Sequence, residues 1–564
     1  MTAATAVRPP ATAARSGWLV PMVVLVLGTF MSVLDTSIVN VAIPTIQRDF
    51  GVATTDIQWI TTAYTLALGV IVPISGWLGE RLGMSRVYLA CLVLFAGASA
   101  LCGMAWNLPS MIVFRVLQAV PGGIMPVIAL SMVYTIVPRK KIGAAMGMYG
   151  LGMLVGPAIG PTLGGYLVEY LNWRLIFYIN VPVGLIAALA GTVLLPKLAP
   201  TSNRALDWWG FVTIGSGLFA LLLAITKGQD WGWTSYRVLI LLVFALLALA
   251  LFVVVELDRD EPLLDLRVFT VWPFVNSLLL ICVLATGLYA VLFYLPLFMQ
   301  EGQGIQPLQT GLTLLPEALV MATLMPIAGK LYDKIGPRWP ATIGLLTAAF
   351  GTLLLCGITP DMTQGDVVAW TCLRGAGNGL ALMPIMTAGL SAIPAEYASS
   401  GSPVNNIAQR VSGALGLAAL TALATNQQNQ LSADRFALIP ANSQLPAVQE
   451  MARQGSSALL GYYRQLNVAV TAGAYSNVFI VCCLMTSAAV LLALLLRNGV
   501  ATPTVPADPA QGDVTSPPPS RAVTEPAGAA RSGLDTAIEP FDGQEAAIRE
   551  PAESGSRTGR SAPP

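Results

Sequence analysis

Gly76-Trp-Leu-Gly-Glu80-Arg81-Leu-Gly83 follows the second long apolar run of this chain, and Gly329-Lys-Leu-Tyr-Asp333-Lys334-Ile-Gly336 follows the tenth. The octets share a glycine at either end and an acid followed by a base inside. A weaker echo relates Arg115…Met125-Pro126 in the fourth run to Arg374…Met383-Pro384 in the twelfth. Both echoes are displaced by eight runs, as expected of two six-helix halves with two additional helices between them. Duplicated halves facing one another across a central site are how many secondary transporters are built. The expected fold is therefore an all-α membrane protein of about fourteen helices.

Composition agrees with this. Of the 564 residues 55% are hydrophobic and 10% charged. A soluble domain carries about a quarter charged residues and could not hold so apolar a chain in solution. Runs long enough to cross roughly 30 Å of hydrocarbon as a helix fall at 19–43, 57–78, 87–106, 109–134, 142–168, 174–195, 208–226, 238–256, 272–299, 310–331, 340–358, 367–393, 403–425 and 471–496. The first contains Asp35, lacks a small-residue cleavage site and leads straight into further spans, so it reads as a retained helix and not a signal peptide. The chain has no histidine, which removes histidine triads, metal ligands and proton relays. Its cysteines lie inside apolar runs without CxxC spacing and read as small buried hydrophobes. Near-neutral charge gives no hint of a nucleic-acid partner, and without a GxxxxGK[ST] loop no ATP is implied.

Basic residues near span ends set the expected orientation. With a cytoplasmic N-terminus, Arg81, Arg86, Arg139, Lys140, Lys141, Lys197, Arg204, Arg259, Arg267, Lys330, Lys334 and Arg338 lie inside, against Arg48, Arg174, Lys227 and Arg237 outside. The expected organisation is a cytoplasmic tail at 1–17, an N-terminal half at 18–196, two additional helices at 197–260 and a C-terminal half at 261–498. That half carries an outer loop at 427–468, in which Glu450–Gln465 has helical character. The Pro/Ala/Gly/Ser-rich segment 499–564 is expected to be a disordered cytoplasmic tail.

Five features carry chemistry. An ionisable side chain near mid-span costs about 2.5–3.5 kcal/mol even on the gentlest insertion scale, which makes Asp35 the most informative residue. At 100° per residue Thr29, Ser32, Asp35, Thr36 and Asn40 share one side of a helix. They read as a polar stripe on a wet cavity, with Asp35 taking a proton from one side of the membrane and releasing it to the other. The alternative is a carboxylate paired structurally with an arginine of a neighbouring helix. Arg115 shares a face with Gln118, Gly122 and Pro126; a guanidinium that keeps its charge needs a carboxylate, carbonyls or water. It either tunes an acidic partner or locks two helices together.

Glu317, beside Pro316 near the start of span ten, could serve protons or cationic substrates, or lie wet at the outer interface. Asn40 joins Asp35 and Glu317 as a substrate-binding candidate; Arg374 and Arg410 are weaker ones. In span five Gly152, Gly156, Gly160 and Gly164 line one face for close helix approach, while Pro157 and Pro161 remove backbone donors. Gly76, Glu80, Arg81, Gly83 and Arg86, with Gly329, Asp333, Gly336 and Arg338, read as paired gates, their charges free to meet helix ends or one another.

Together these residues resemble the fourteen-span drug:proton antiporters of the major facilitator superfamily, over about residues 18–425. Leu34-Asp35-Thr36-Ser37-Ile38-Val39-Asn40-Val41-Ala42-Ile43-Pro44 is similar to that family's first-span signature, and Trp59-Ile-Thr-Thr-Ala-Tyr64 to its second-span motif. Gly76–Arg86 resembles the superfamily loop motif, Arg115-Val-Leu-Gln118 the fourth-span arginine motif and Gly152–Gly165 the antiporter motif. Trp173–Gly184, Pro262–Arg267 and Gln306–Pro316 are further similarities. The resemblance implies export of amphipathic, often cationic drugs across the bacterial inner membrane in exchange for protons, with Asp35 and Arg115 in coupling. It implies that the loop motif and span five govern alternating access in a monomer among membrane lipids, driven by the proton gradient without a cofactor. Glu80 stands where the loop motif usually has aspartate, Met84 and Ser85 where it has bases, and Ala119 and Pro121 interrupt the glycine pattern after Arg115. The rival readings are a dedicated exporter of one metabolite, lipid or siderophore, a proton-coupled importer, and a non-transporting membrane sensor. No nucleophile–base pair or metal cluster points to an enzyme.

Overall fold

The computed structural model describes residues 17–259, 261–437 and 456–496. Among them run fourteen helices of membrane-crossing length. The N-terminal half holds α1 (Leu19–Phe50), α2 (Thr55–Leu82), α3 (Met84–Gly103), α4 (Leu108–Ile136), α5 (Ile142–Tyr170) and α6 (Leu175–Leu194). The additional helices are α7 (Trp208–Trp231) and α8 (Tyr236–Asp258). The C-terminal half holds α9 (Trp272–Gly302), α10 (Pro307–Ile335), α11 (Arg338–Leu355), α12 (Gln364–Ser391), α13 (Ala398–Ala437) and α14 (Ser456–Leu494).

Thirteen of these are also apolar enough to be read as spans by composition alone. The exception, α12, carries Arg374 and Asn378, which are 3% and 6% exposed. Its polar groups face protein, since the helix packs between α10 and α11. Hydropathy understates such a helix because its neighbours, not lipid, surround its charge.

Packing repeats with the sequence. In the N-terminal half α1 packs on α4, α5 and α6, α2 on α4, and α3 on α4 and α6; the same pairings recur eight helices later, α9 with α12, α13 and α14, α10 with α12, and α11 with α12 and α14. The halves meet through two crossed pairs, α5 with α10 and α2 with α13. Each pair joins one half's fifth helix to the other's second, as a pseudo-two-fold axis requires. Helix α7 lies against α2 and α13, and α8 packs chiefly on α7. The two additional helices therefore flank the bundle beside one of its two seams.

The described ends of the expected loop at 427–468, residues 427–437 and 456–468, are helix. Helix α13 continues to Ala437 and α14 begins at Ser456. No glycine or proline interrupts the chain between Gly416 and Ala437, and the amide side chains of the extension find partners. Gln428 Nε2 donates to Thr471 Oγ1 at 3.3 Å, and Asn477 Nδ2 donates to Gln427 Oε1 at 3.1 Å. Residues 450–455 of the proposed surface helix, and nearly all of both tails, lie outside the described residues.

Candidate functional site

Asp35 does not face a wet cavity. It is 0% exposed, sealed inside the N-terminal half. Arg115 Nη1 of α4 donates to its Oδ2 at 2.6 Å, and Gln118 Nε2, one turn along, donates to Oδ1 at 2.9 Å. Asn180 Nδ2 of α6 donates to the same Oδ1 at 3.0 Å and to Ser99 Oγ of α3 at 3.1 Å. A second bond from Arg115 Nη1 to Gln118 Oε1, at 2.7 Å, holds the amide in register. The guanidinium lies 3.9 Å from the centre of the Tyr64 ring of α2, a cation–π contact. Five helices thus converge on one ionised pair whose lone pairs and protons are largely satisfied, the condition under which a buried pair holds. The structural alternative for Asp35 is the geometry found, and the polar stripe divides: Ser32 and Asp35 point inward while Thr36 and Asn40, of the same helix, are exposed.

Prolines near this centre free carbonyls, and neighbouring hydroxyls donate to them. Pro126 cannot donate to Gly122 O, and Ser32 Oγ donates there at 3.1 Å. Pro161 likewise releases Pro157 O, toward which Ser37 Oγ points at 3.5 Å. Both hydroxyls come from α1, so the broken ladders of α4 and α5 are repaired across the helix interface.

The span-five glycines seat α1, not the opposite half. A Cβ on Gly152 would lie 2.7 Å from Val26 Cγ1, on Gly156 2.9 Å from Leu34 N, on Gly160 2.6 Å from Ser37 Oγ and on Gly164 2.8 Å from Ile38 Cγ1. The approach between halves belongs to an earlier stripe of the same helix. A Cβ on Gly147 would meet Met325 O and Pro326 Cα, each at 2.6 Å, one on Gly150 would meet Met325 Sδ at 2.6 Å, and Gly143 abuts Gly329 backbone to backbone. Toward the other end of the seam α5 and α10 part around a cavity of about 390 Å³ lined by Ile159, Thr162, Leu163, Tyr166 and Leu315. At the octet end both seams are closed by backbone contact, Gly143 with Gly329 and Gly76 with Ser399.

The octets are not equivalent gates. Gly76 seats the start of α13, where a Cβ would come 2.8 Å from Ser399 O, as Gly329 seats the start of α5. Asp333 caps α5: its Oδ1 accepts from Gly143 N at 2.9 Å and its Oδ2 from Ala144 N at 3.0 Å. A carboxylate on a helix N-terminus satisfies orphan donors and the helix dipole together, and here it ties one half to the other. Glu80, its counterpart, pairs instead with Arg204 in the segment before α7, and Arg81 binds the carbonyls of Asn203 and Arg204. Gly83 adopts φ +88°, and a Cβ there would lie 2.6 Å from Leu198 O. The first octet is therefore a clamp on the linker that enters the additional helices. Gly336 closes α10 at φ +81°. Arg86 and Arg338 are exposed and form no ion pair among the described residues.

Glu317 is not wet at an interface. It pairs with Arg374 of α12, and the two side chains are 12% and 4% exposed. Gly375 lets α10 approach, since a Cβ there would sit 2.8 Å from Glu317 Cγ. Among the residues the sequence reading did not assign, Asn180 completes the Asp35 site, and Gly143, Gly147 and Gly150 make the seam. An asparagine inside span six was the available signal for the first. The Trp173-Arg174 pair acquires a role too: Trp173 Nε1 and Arg174 Nη1 both donate to Asp49 Oδ2, at 3.1 and 3.3 Å, joining the start of α6 to the end of α1.

The family model of the Major Facilitator Superfamily matches residues 25–417. The MFS-type transporter YhcA of Bacillus subtilis, itself uncharacterised, is 36% identical over 72% of this chain and 76% of its own. The Tetracenomycin C resistance and export protein of Streptomyces glaucescens is 32% identical over 74% of this chain and 78% of its own. A Multidrug resistance protein B homolog of Mycobacterium tuberculosis is 31% identical over 74% and 79%. Among solved structures the proton:xylose symporter XylE superposes with a TM-score of 0.54 at 11% identity, covering 85% of this chain and 99% of that one. The human organic anion transporter MFSD10 gives 0.53 at 14% identity, covering 85% and 100%. Duplicated six-helix halves, two crossed seams and these relatives place the chain in the major facilitator superfamily, as a membrane transporter and not an enzyme.

Proposed function

We propose that the chain is a drug:proton antiporter exporting amphipathic, cationic small molecules across the bacterial inner membrane, with both termini and the octet face cytoplasmic. The observation that carries this reading is the sealed Asp35–Arg115 pair, 0% and 1% exposed, on a helix whose next turn presents exposed Thr36 and Asn40. Protonating Asp35 removes the counter-ion of a buried guanidinium and so disturbs α1, α4 and α6 at once. With the octets cytoplasmic, the backbone contact between the halves at the octet end favours an outward-facing state, the one in which a proton arrives from outside. Relatives named for multidrug resistance and for tetracenomycin C export support a drug or drug-like cargo. The proton gradient is a sufficient drive, since each charge crossing 100 mV is worth about 2.3 kcal/mol. The chain acts as a monomer among membrane lipids and needs no cofactor.

Everted vesicles test this. Several cationic dyes and drugs should accumulate inside, and an uncoupler should abolish accumulation. Accumulation that survives the uncoupler contradicts proton coupling. The tetracenomycin relative favours a second reading, export of a single metabolite; transport of one compound from a broad panel would select it.

A further inference from the structure

Two acids meet at the root of the additional helices and lack the donors that buried carboxylates require. Asp207 caps α7 by accepting the Gly210 N–H on Oδ1 at 3.0 Å, while no donor reaches its Oδ2. Glu256, near the end of α8, is 4% exposed, and neither of its oxygens has a hydrogen bond. The backbone N–H groups of Leu264 and Leu263 bear favourably on its charge without meeting hydrogen-bond geometry, while the acids Asp207 and Asp265 oppose it. A Cβ on Gly210 would lie 2.6 Å from Asp207 Oδ2 and 2.7 Å from Glu256 Oε1, so both carboxyl oxygens border the space that the glycine's missing side chain leaves. Asp207 also lines a cavity of about 550 Å³ with Trp208, Trp209, Asp258, Arg259 and Glu261, which gives the pair a route to water. Arg259, the one base lining that cavity, pairs with neither acid.

Two such anions, with only backbone N–H groups about them and no cation between them, are unstable at such burial. One proton resolves this, because a carboxylic O–H donated to a carboxylate is a strong, short hydrogen bond. A hard metal ion fits less well: it takes six or more oxygen ligands, and no group of three metal-ligating side chains occurs among the described residues. We propose that Asp207 and Glu256 form a proton-binding site, in which one proton held by Glu256 is donated to Asp207 Oδ2. The site stands apart from Asp35 and does not rest on the antiport reading. Arg204, clamped by Glu80, lies three residues before Asp207. Loss of the proton would leave two anions face to face and spread the roots of α7 and α8 beneath that clamp.

The infrared carbonyl stretch of protonated carboxylic acids in the purified full-length protein tests the site. At pH 7 the wild type should show a band component that Glu256→Gln lacks and that alkaline titration removes. Asp207→Asn should shift the midpoint of that titration to lower pH, because one neighbouring anion is gone. An identical band in the wild type and Glu256→Gln overturns the proposal, as does a midpoint that Asp207→Asn leaves in place. Loss of the band at constant pH on adding sodium or potassium would assign the site to a metal cation and overturn it too. Should Glu256→Gln fail to fold, the Asp207→Asn titration decides alone.

Discussion

In the N-terminal half Arg115 meets an acid from α1, and that acid takes two further donors, from Gln118 and Asn180. In the C-terminal half the repeated arginine, Arg374, meets an acid from α10, and Glu317 has no other donor among the described residues. The acids are not at equivalent positions. Glu317 and Tyr64 each stand twelve residues before the first glycine of their octets, so a carboxylate in one half holds the place of the ring stacked on the arginine in the other. The repeat preserved the guanidinium and moved its counter-charge. The difference teaches that the first site is a lock, ligated from several helices, while the second is a single pair nearer to water.

The largest expected effect comes from removing the arginines. Arg115→Leu strands Asp35 without exposure and should destabilise the purified protein by about 3–5 kcal/mol. Arg374→Leu should cost less, since Glu317 can recover hydration. Melting temperatures of both variants check this, and an equal or larger loss for Arg374→Leu breaks the comparison. Next come the two glycine stripes of α5. Gly143→Leu should leave the N-terminal half intact while prying the seam open, at about 1–3 kcal/mol of overpacking. A single cysteine near Lys330 should then become more reactive from the octet face, and transport should fall. Gly156→Leu should also abolish transport, but by disturbing α1, so that cysteine should not respond.

Glu317→Gln is a smaller perturbation. If the Glu317 charge serves recognition, export of cations should fall more than export of neutral substrates; equal loss across both classes would point to a proton or folding role. Smallest is Arg86→Ala, expected to change stability by no more than about 0.5 kcal/mol and to spare transport. A marked transport loss in that variant would restore Arg86 to the gate.

Much of the architecture was legible in the octets and in the arginine echo, because a duplicated fold repeats the residues that its packing needs. The partners were not. A glycine stripe announces a close neighbour without naming it, and so Gly152–Gly164 read as a face for close helix approach without revealing that the neighbour is α1. The helical period placed Asp35 beside Asn40, yet it could not see that Arg115 and Asn180, distant in sequence, converge on the carboxylate and turn it inward. Hydropathy found the apolar part of α13 and missed its polar extension, which α14 supports through Gln427 and Gln428. The different partners of the two octets were hidden for a similar reason. Glu80 and Asp333 match in sequence, but only the first has a linker carrying Arg204 within reach.

Asp35 carries the central claim, and one set of flux measurements tests it. Asp35→Asn keeps a polar group in the site and removes the charge that protonation would remove. Membrane abundance, downhill flux and uphill flux should be measured together on the wild type, Asp35→Asn and Asp35→Glu. The Asn variant should insert, still move substrate down its gradient, and lose both uphill accumulation and substrate-provoked proton release, while the Glu variant keeps part of each. An abundant Asn variant that still concentrates substrate against a gradient would show that the sealed pair is structural and that coupling lies elsewhere, with Glu317 the first residue to examine.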